Sequence, residues 1–146
     1  MNHTRQQWMS VLARAPAAAI ESGLTRVGPL PVWTRVRGPE TGLVMVRGRA
    51  GGSGSPFNLG EMTVTRCTVR LESGAMGHAY IAGRDERQAE LAAVADALLQ
   101  DPAERPALSQ SLIEPLAEAQ REQRQTRAEK AAATRVEFFA MRNMRS

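Results

Sequence analysis

The residues best suited to bind an anion are arginines that recur two or four positions apart along strand-like segments. Because successive side chains of a strand point to opposite faces, residues with this spacing share a face. The planar guanidinium group forms paired hydrogen bonds with phosphates and carboxylates. We therefore predict an arginine-rich sheet face that binds a triphosphate or the acidic surface of another subunit. Its candidate residues are Arg35, Arg37, Arg47, Arg49, Arg66 and Arg70. The alternative is a solvated sheet face that binds nothing and resists aggregation.

The remaining polar motifs are weaker. The loop Gly51–Ser55 has backbone amides for a phosphate, but it lacks the Lys-Ser/Thr ending of a P-loop and a proline follows it. His78 is a candidate for acid–base work, but no local motif supplies a group to orient it, so a structural or interface role is favoured. Cys67 lies in an alternating segment and is interpreted as a small buried apolar residue. We predict no catalytic residue in this chain.

Strand patterns place most of these side chains on a sheet. Apolar and polar residues alternate with period two in neighbouring segments joined by turns, which predicts an antiparallel sheet with one apolar face. The predicted turns are Pro39–Gly42 and the tight hairpin Glu72–Gly74. The predicted strands are Val32–Arg37, Leu43–Arg49, Met62–Leu71 and Gly77–Ala82.

Helix signals flank the strands. Thr4 and Gln7 form a capping-box pair in front of a helix predicted over Arg5–Ala13. A short Ala-rich helical turn is predicted to begin at Pro16 and end at Gly23, because proline favours the first turn of a helix and glycine its end.

A third helix follows the strands and is predicted to cover the apolar face of the sheet. Asp85 with Gln88 caps its start. Its apolar stripe consists of Leu91, Val94, Ala95 and Leu98.

The C-terminal segment differs in composition from the rest of the chain. In the helix-forming stretch Ala117–Ala133, alanine is the largest apolar side chain, so this helix gains little by packing on its own domain. The stretch that follows is apolar again, and an exposed apolar patch is typical of a docking point. We predict that Val136, Phe138 and Phe139 bind a partner. The predicted fold is α+β: an antiparallel sheet of about four strands, an N-terminal helix, a covering helix and a long C-terminal helical arm. The predicted units are a core at 1–100, a linker at 101–110 and the arm at 111–146.

Composition excludes several functional classes. One cysteine and two histidines among 146 residues form no intramolecular disulfide and no Cys/His metal site within one chain, so neither a metal nor a cofactor is predicted in this chain. A site completed by carboxylates or by another subunit stays open. No apolar run is long enough to span a membrane, which predicts a cytoplasmic protein. The net charge of +4 comes from arginines and the single Lys130. With aromatic residues at 4%, few side chains are available for base stacking, which disfavours nucleic-acid binding.

Taken together in order and spacing, segments along nearly the whole chain resemble the PhnG subunit of the bacterial carbon–phosphorus lyase core complex. No single segment is diagnostic, but the series is specific. The segments are Arg5–Leu12, Glu40–Val44, Gly51–Gly54, Val64–Arg66, Val69–Leu71, Gly77–Tyr80, Gly83–Asp85, Ser111–Leu116 and Thr134–Phe139.

The resemblance implies a function that composition does not show. Such proteins assemble with PhnH-, PhnI- and PhnJ-type subunits, two copies of each, in phosphonate catabolism. Their complex forms a ribose 1-phosphonate 5-triphosphate from ATP and an alkylphosphonate. The PhnI type is associated with the nucleosidase chemistry and the PhnJ type with carbon–phosphorus bond cleavage. The resemblance therefore implies mainly a structural and assisting role for this chain, and it maps no catalytic motif onto it.

Two alternative functions stay open at this point. One is an enzyme subunit whose arginine face binds the substrate triphosphate. The other is a stand-alone basic protein that binds nucleic acid, whose affinity would fall steeply with salt.

Overall fold

A three-stranded antiparallel sheet packed against helices forms the centre of the computed structural model, which describes residues 3–49, 54 and 56–144. The predicted α+β class is confirmed. In chain order the helices and strands are α1 (Arg5–Ala13), α2 (Ala17–Val27), β1 (Trp33–Arg49), β2 (Pro56–Leu71), β3 (Met76–Ala82), α3 (Glu86–Leu99), α4 (Arg105–Leu108), a π-helical turn (Ser109–Ile113) and α5 (Glu114–Met144).

The sheet has the strand order β1-β2-β3, so the prediction of about four strands was too high by one in the described residues. Two predicted strands are halves of the single strand β1, and the predicted turn at Pro39–Gly42 is an irregular stretch within that strand. Gly38 adopts φ +71°, and a Cβ there would lie 2.6 Å from the carbonyl oxygen of Arg66. Glycine thus permits a β-bulge without separating the two strands.

Helix α3 lies on the sheet as predicted and is central to the core. The side chain of Asp85 accepts a hydrogen bond from the amide of Gln88 at 3.0 Å, which confirms the predicted cap. Nearly every residue of the helix after the first turn is buried, because α1 and α2 cover the side that faces away from the sheet. At Gly77 of β3 a Cβ would lie 1.8 Å from the carbonyl oxygen of Ala93, so strand and helix are in direct backbone contact.

The two N-terminal helices show one prediction confirmed and one corrected. Helix α1 has the predicted bounds, and both hydrogen bonds of the capping box between Thr4 and Gln7 are present. The second helix does not end at Gly23 but continues to Val27. A Cβ at Gly23 would lie 2.5 Å from Cδ1 of Leu112, so this glycine allows close helix packing instead of ending the helix.

Helix α5 is joined to α4 through the π-helical turn. Pro115 has no N–H to donate to the carbonyl of Ser111 four residues earlier. Arg26 Nη1 donates to that carbonyl at 3.0 Å instead, and Ser111 Oγ donates to the carbonyl of Gly23 at 3.1 Å. These bonds fix the start of α5 on α2.

Helix α5 leaves the body of the protein after its first turns. Gln120 Nε2 donates to the carbonyl of Val11 at 2.9 Å, and every residue from 121 to 138 is exposed. The long C-terminal helix is therefore confirmed, while the predicted unit boundaries stay a prediction. In the described part of the chain, no helix combines the length and the apolar character needed to cross a bilayer.

Candidate functional site

The structure does not place the six predicted arginines on one face. Arg35 pairs with Val69 on the helix-covered side of the sheet, where its Nε and Nη2 donate to the two oxygens of Glu90 at 2.8 and 3.0 Å. The register shift after Arg35 changes which face the following residues occupy, so Arg37 lies on the opposite, open face. Arg35 therefore stabilises the fold and is not part of an arginine-rich open face.

Three arginines do lie on the open face, and two of them share a carboxylate. Oε1 of Glu40 accepts hydrogen bonds from Nε of Arg37 at 3.0 Å and from Nε of Arg66 at 2.6 Å. The hydrogen bond from Arg66 is the largest cause of a lowered pKa at Glu40. Arg70 lies on the same face opposite Thr34. An anion that binds Arg37 and Arg66 must compete with Glu40 for their donors.

The remaining two arginines lie on the far part of the β1–β2 hairpin. Arg47 is paired with Asn58, whereas Arg66 is paired with Glu40, seven residues earlier in β1. At 3.3 Å per residue the separation is roughly 20 Å, too far to share one phosphate group. The backbone of Arg49 pairs with Pro56, and its side chain lies outside the described residues. The loop Gly51–Ser55, which is a weak phosphate candidate by sequence, also lies outside them, apart from Gly54.

His78 and Tyr80 lie on the open face of β3 next to a cleft of about 270 Å³ between β3 and α1. Nδ1 of His78 is 3.0 Å from Oγ1 of Thr68, so a hydroxyl group and not a carboxylate orients the ring. The cleft is walled partly by Met9 and Ile81. A hydroxyl partner and a partly apolar cleft fit a structural or interface role for His78 better than a role in acid–base catalysis.

Asp96 of α3, which the sequence did not single out, is a carboxylate whose side chain is fully buried. Its oxygens accept hydrogen bonds from Arg5 (Nε at 3.1 Å, Nη2 at 2.9 Å), from the indole Nε1 of Trp8 at 2.9 Å and from the backbone N of His78 at 2.9 Å. A buried charge needs such a full set of partners to offset its lost hydration. Asp96 thus joins α1, α3 and β3.

Glu90, six residues earlier on α3, has a similar set of partners, which it takes from β1 and not from β3. It is 4% exposed and accepts from the indole Nε1 of Trp33 at 2.9 Å as well as from Arg35. The hydrogen bond with Arg35 is the main reason that the pKa of Glu90 is lowered. Each tryptophan of the chain therefore donates to one buried carboxylate of α3. The detectable signal was the two acidic residues that follow the first turn of an otherwise Ala- and Leu-rich helix.

Cys67 is buried, as predicted, and burial raises the pKa of its thiol to about 11. The nearby carboxylate of Glu90 acts in the same direction. Its burial confirms the interpretation of Cys67 as a small apolar core residue, and the raised pKa disfavours the reactive thiolate form. Within the residues the structure covers, no three His, Cys, Asp or Glu side chains are grouped to hold a metal ion.

The predicted docking residues lie near the end of α5. Val136 and Phe138 are 68% and 66% exposed, while the side chain of Phe139 lies outside the described residues. Large apolar side chains at this exposure on a solvated helix are typical of a contact with another molecule.

The fold and these contacts define an α+β protein whose buried charges hold the fold together and whose exposed features suit contacts with other molecules. The chain belongs to the PhnG family: the family model described as phosphonate metabolism protein PhnG matches residues 3–143. It is also 47% identical over 137 residues to the alpha-D-ribose 1-methylphosphonate 5-triphosphate synthase subunit PhnG of Rhizobium meliloti (strain 1021), which covers 94% of this chain and 87% of that protein. The resemblance predicted from the sequence is confirmed.

Proposed function

We propose that this chain is a subunit of alpha-D-ribose 1-methylphosphonate 5-triphosphate synthase and acts in phosphonate catabolism. The observation that carries the proposal is the relative of that name, which is 47% identical over 94% of this chain. We further propose that the role is structural and assisting, that the chain contributes no cofactor of its own, and that it works in the cytoplasm. The buried carboxylates support this role, because their oxygens are already occupied by hydrogen bonds that hold the fold.

The proposed partners are PhnI-, PhnJ- and PhnH-type subunits, with two copies of each. The exposed part of α5 supports a partner contact. At 1.5 Å per residue the helix from Arg121 to Met144 is roughly 35 Å long, and it carries exposed Val136 and Phe138 near its end. A helix without an apolar face on its own protein gains stability by packing on another chain. We assign that contact to the PhnI-type subunit.

Co-expression tests the proposal. The full-length chain, produced with the three partner types, is expected to elute in size exclusion as one stoichiometric complex by light scattering. A chain truncated from Glu129 onward is expected to lose assembly. The double variant Val136→Ser/Phe138→Ser should do the same, whereas Val32→Ser, at an exposed valine before β1, should assemble normally.

The outcomes separate two parts of the proposal. A truncated chain that assembles as well as the full-length chain would show that α5 is not the contact. A full-length chain that ignores all three partners would show that the subunit role itself is wrong.

Neither alternative function is favoured by the comparisons or by the geometry. A triphosphate site formed by the arginines is opposed by the location of Arg35 on the other face and by the roughly 20 Å between Arg47 and Arg66. If Arg47→Ala and Arg66→Ala each abolished nucleotide turnover while the complex still formed, this alternative would return. A stand-alone nucleic-acid binder requires salt-sensitive affinity in a filter-binding series, and we expect none.

A further inference from the structure

The β1–β2 hairpin extends well beyond the third strand. β3 ends at Ala82, which pairs with Val64, so the hairpin consists of two strands only beyond that point. We call this part, residues 42–49 of β1 with 56–63 of β2, the ribbon. A two-stranded hairpin is at most marginally stable in water by itself.

The ribbon presents apolar side chains on both faces. Leu43 and Met45 lie on one face and are 62% and 51% exposed. Val46 and Met62 lie on the other and are 38% and 40% exposed. Four consecutive apolar residues from position 43 to 46 are typical of a strand that is buried on both faces, since a half-solvated strand alternates apolar with polar.

We propose that the ribbon inserts into an apolar cleft of a different subunit, which encloses both of its faces. This inference rests on the proposed function, because it takes the partner from the same assembly. A second copy of this chain fits less well. Two copies joined edge to edge lengthen the sheet and cover neither face, and two copies stacked face to face cover one face only. A cleft with two apolar walls covers Leu43 and Met62 together.

The charged residues of the ribbon indicate which charged groups the cleft carries. Arg47 lies toward the tip of the ribbon and Glu61 lies opposite Met45 nearer its base. A complementary cleft carries a carboxylate beside the guanidinium of Arg47, because an unpaired charge enclosed there would lose its hydration without compensation.

Site-specific thiol labelling tests the enclosure on the full-length chain. Leu43→Cys and Met62→Cys place one thiol on each face, and Val32→Cys is the control at an exposed position outside the ribbon. Cys67 gives little background, because it is buried and its pKa is raised to about 11. We expect a maleimide to label all three positions in the isolated chain. In the co-expressed complex, labelling at Leu43→Cys and Met62→Cys should slow strongly, while Val32→Cys is unchanged.

Affinity provides the second measurement. The double variants Leu43→Ser/Met45→Ser and Val44→Ser/Val46→Ser each change one face. Each should lower partner recovery by roughly tenfold or more, the effect of removing well-packed apolar anchors from an interface. Val27→Ser/Val32→Ser, which changes two exposed valines elsewhere, should recover partner as the unchanged chain does. Thermal unfolding of each isolated variant checks that the fold is retained.

Each other result overturns the inference. Protection of one face alone would mean that the partner lies on the ribbon without enclosing it. Protection of neither face, with the complex intact, would place the interface elsewhere and leave the subunit proposal standing. Slow labelling of an isolated chain that light scattering shows to be dimeric would identify a second copy as the occupant. A chain that forms no complex at all would refute the proposed function together with the inference.

Discussion

Helix α3 and the ribbon differ in which groups they bury: helix α3 buries charged groups, whereas the ribbon exposes apolar ones. Helix α3 buries two carboxylates, and each is matched within the chain by an indole and a guanidinium. The ribbon exposes apolar side chains on both faces. The carboxylates of α3 have their partners within the chain, so the fold depends on α3. The apolar side chains of the ribbon have no such cover in the described part of the chain, so the ribbon is suited to a contact with another chain. Substitutions in the two regions should therefore affect different measurements.

The largest expected effect on stability is that of Asp96→Ala. The change leaves the Trp8 indole and the amide of His78 without an acceptor in the core, and it separates Arg5 from its carboxylate. We expect the free energy of unfolding to fall by about 3 kcal/mol, as for other broken buried ion pairs. Urea unfolding followed by circular dichroism measures it. The control Glu72→Ala, in the exposed hairpin turn, should stay within about 0.5 kcal/mol. An equal effect of both variants would mean that Asp96 does not anchor α1.

Gly77→Ala is expected to have the next largest effect. Its Cβ would lie 1.8 Å from the carbonyl oxygen of Ala93 and 2.7 Å from the backbone N of Ala97, so α3 must move away from β3. The cost of such overpacking is about 2 kcal/mol. The matched control is Gly42→Ala, where no atom lies within 4 Å of the added Cβ. A Gly77→Ala protein as stable as the control would contradict the close contact between strand and helix.

Glu90 predicts a pH dependence. Its pKa is lower in the folded than in the unfolded chain, mainly through the hydrogen bond from Arg35, so the unfolded chain binds the proton first as the pH falls. The stabilisation is complete above the unfolded pKa of about 4.3 and is lost as the pH falls through the folded pKa. Glu90→Gln should therefore flatten the loss of stability between about pH 5 and pH 3.

Glu40 supplies the matched control for that experiment. Its pKa is also lowered by arginines, but its side chain is 43% exposed, compared with 6% for Glu90. Solvent and salt screen such a pair, so Glu40→Gln should change the pH profile less, and the change should vanish at high ionic strength. A larger effect at Glu40 than at Glu90 would reverse the comparison of buried and exposed pairs.

Phe138→Ser is expected to have the smallest effect on the isolated chain. The side chain is 66% exposed on α5, so the melting temperature should change by less than about 2 °C. Its effect should be seen instead in the yield of the co-expressed complex. A marked fall in melting temperature with normal assembly would show that this end of α5 packs on its own chain.

Local signals predicted the parts of the fold that are held by neighbouring residues. The capping box of Thr4 and Gln7 set the start of α1, and Asp85 set the start of α3, because these bonds span three residues. The turn predicted at Pro39–Gly42 was wrong. A Gly-Pro pair normally indicates a turn, but here the long pairing between β1 and β2 holds both sides in one strand.

In the candidate site, local sequence patterns did not predict where the side chains lie. The period-two alternation of a strand predicted Arg35 and Arg37 on the same face, but a bulge between them places them on opposite faces. The sequence predicted a helix end at Gly23, whereas in the structure the helix continues and this glycine lies against Leu112. In both cases the deciding contact comes from a distant part of the chain.

The amino-acid sequence by itself determined the α+β class, the ends of α1, the start of α3, the apolar nature of Cys67 and membership of the PhnG family. Only the tertiary structure decided which face of the sheet Arg35 and Arg37 occupy, that β1 is one strand, and that Asp96 and Glu90 are buried with their partners. The physical reason is the separation along the chain between the residues that interact. Caps and alternation act across a few residues, whereas the bond between Arg5 and Asp96 joins residues 91 positions apart and forms only when α1 docks on α3.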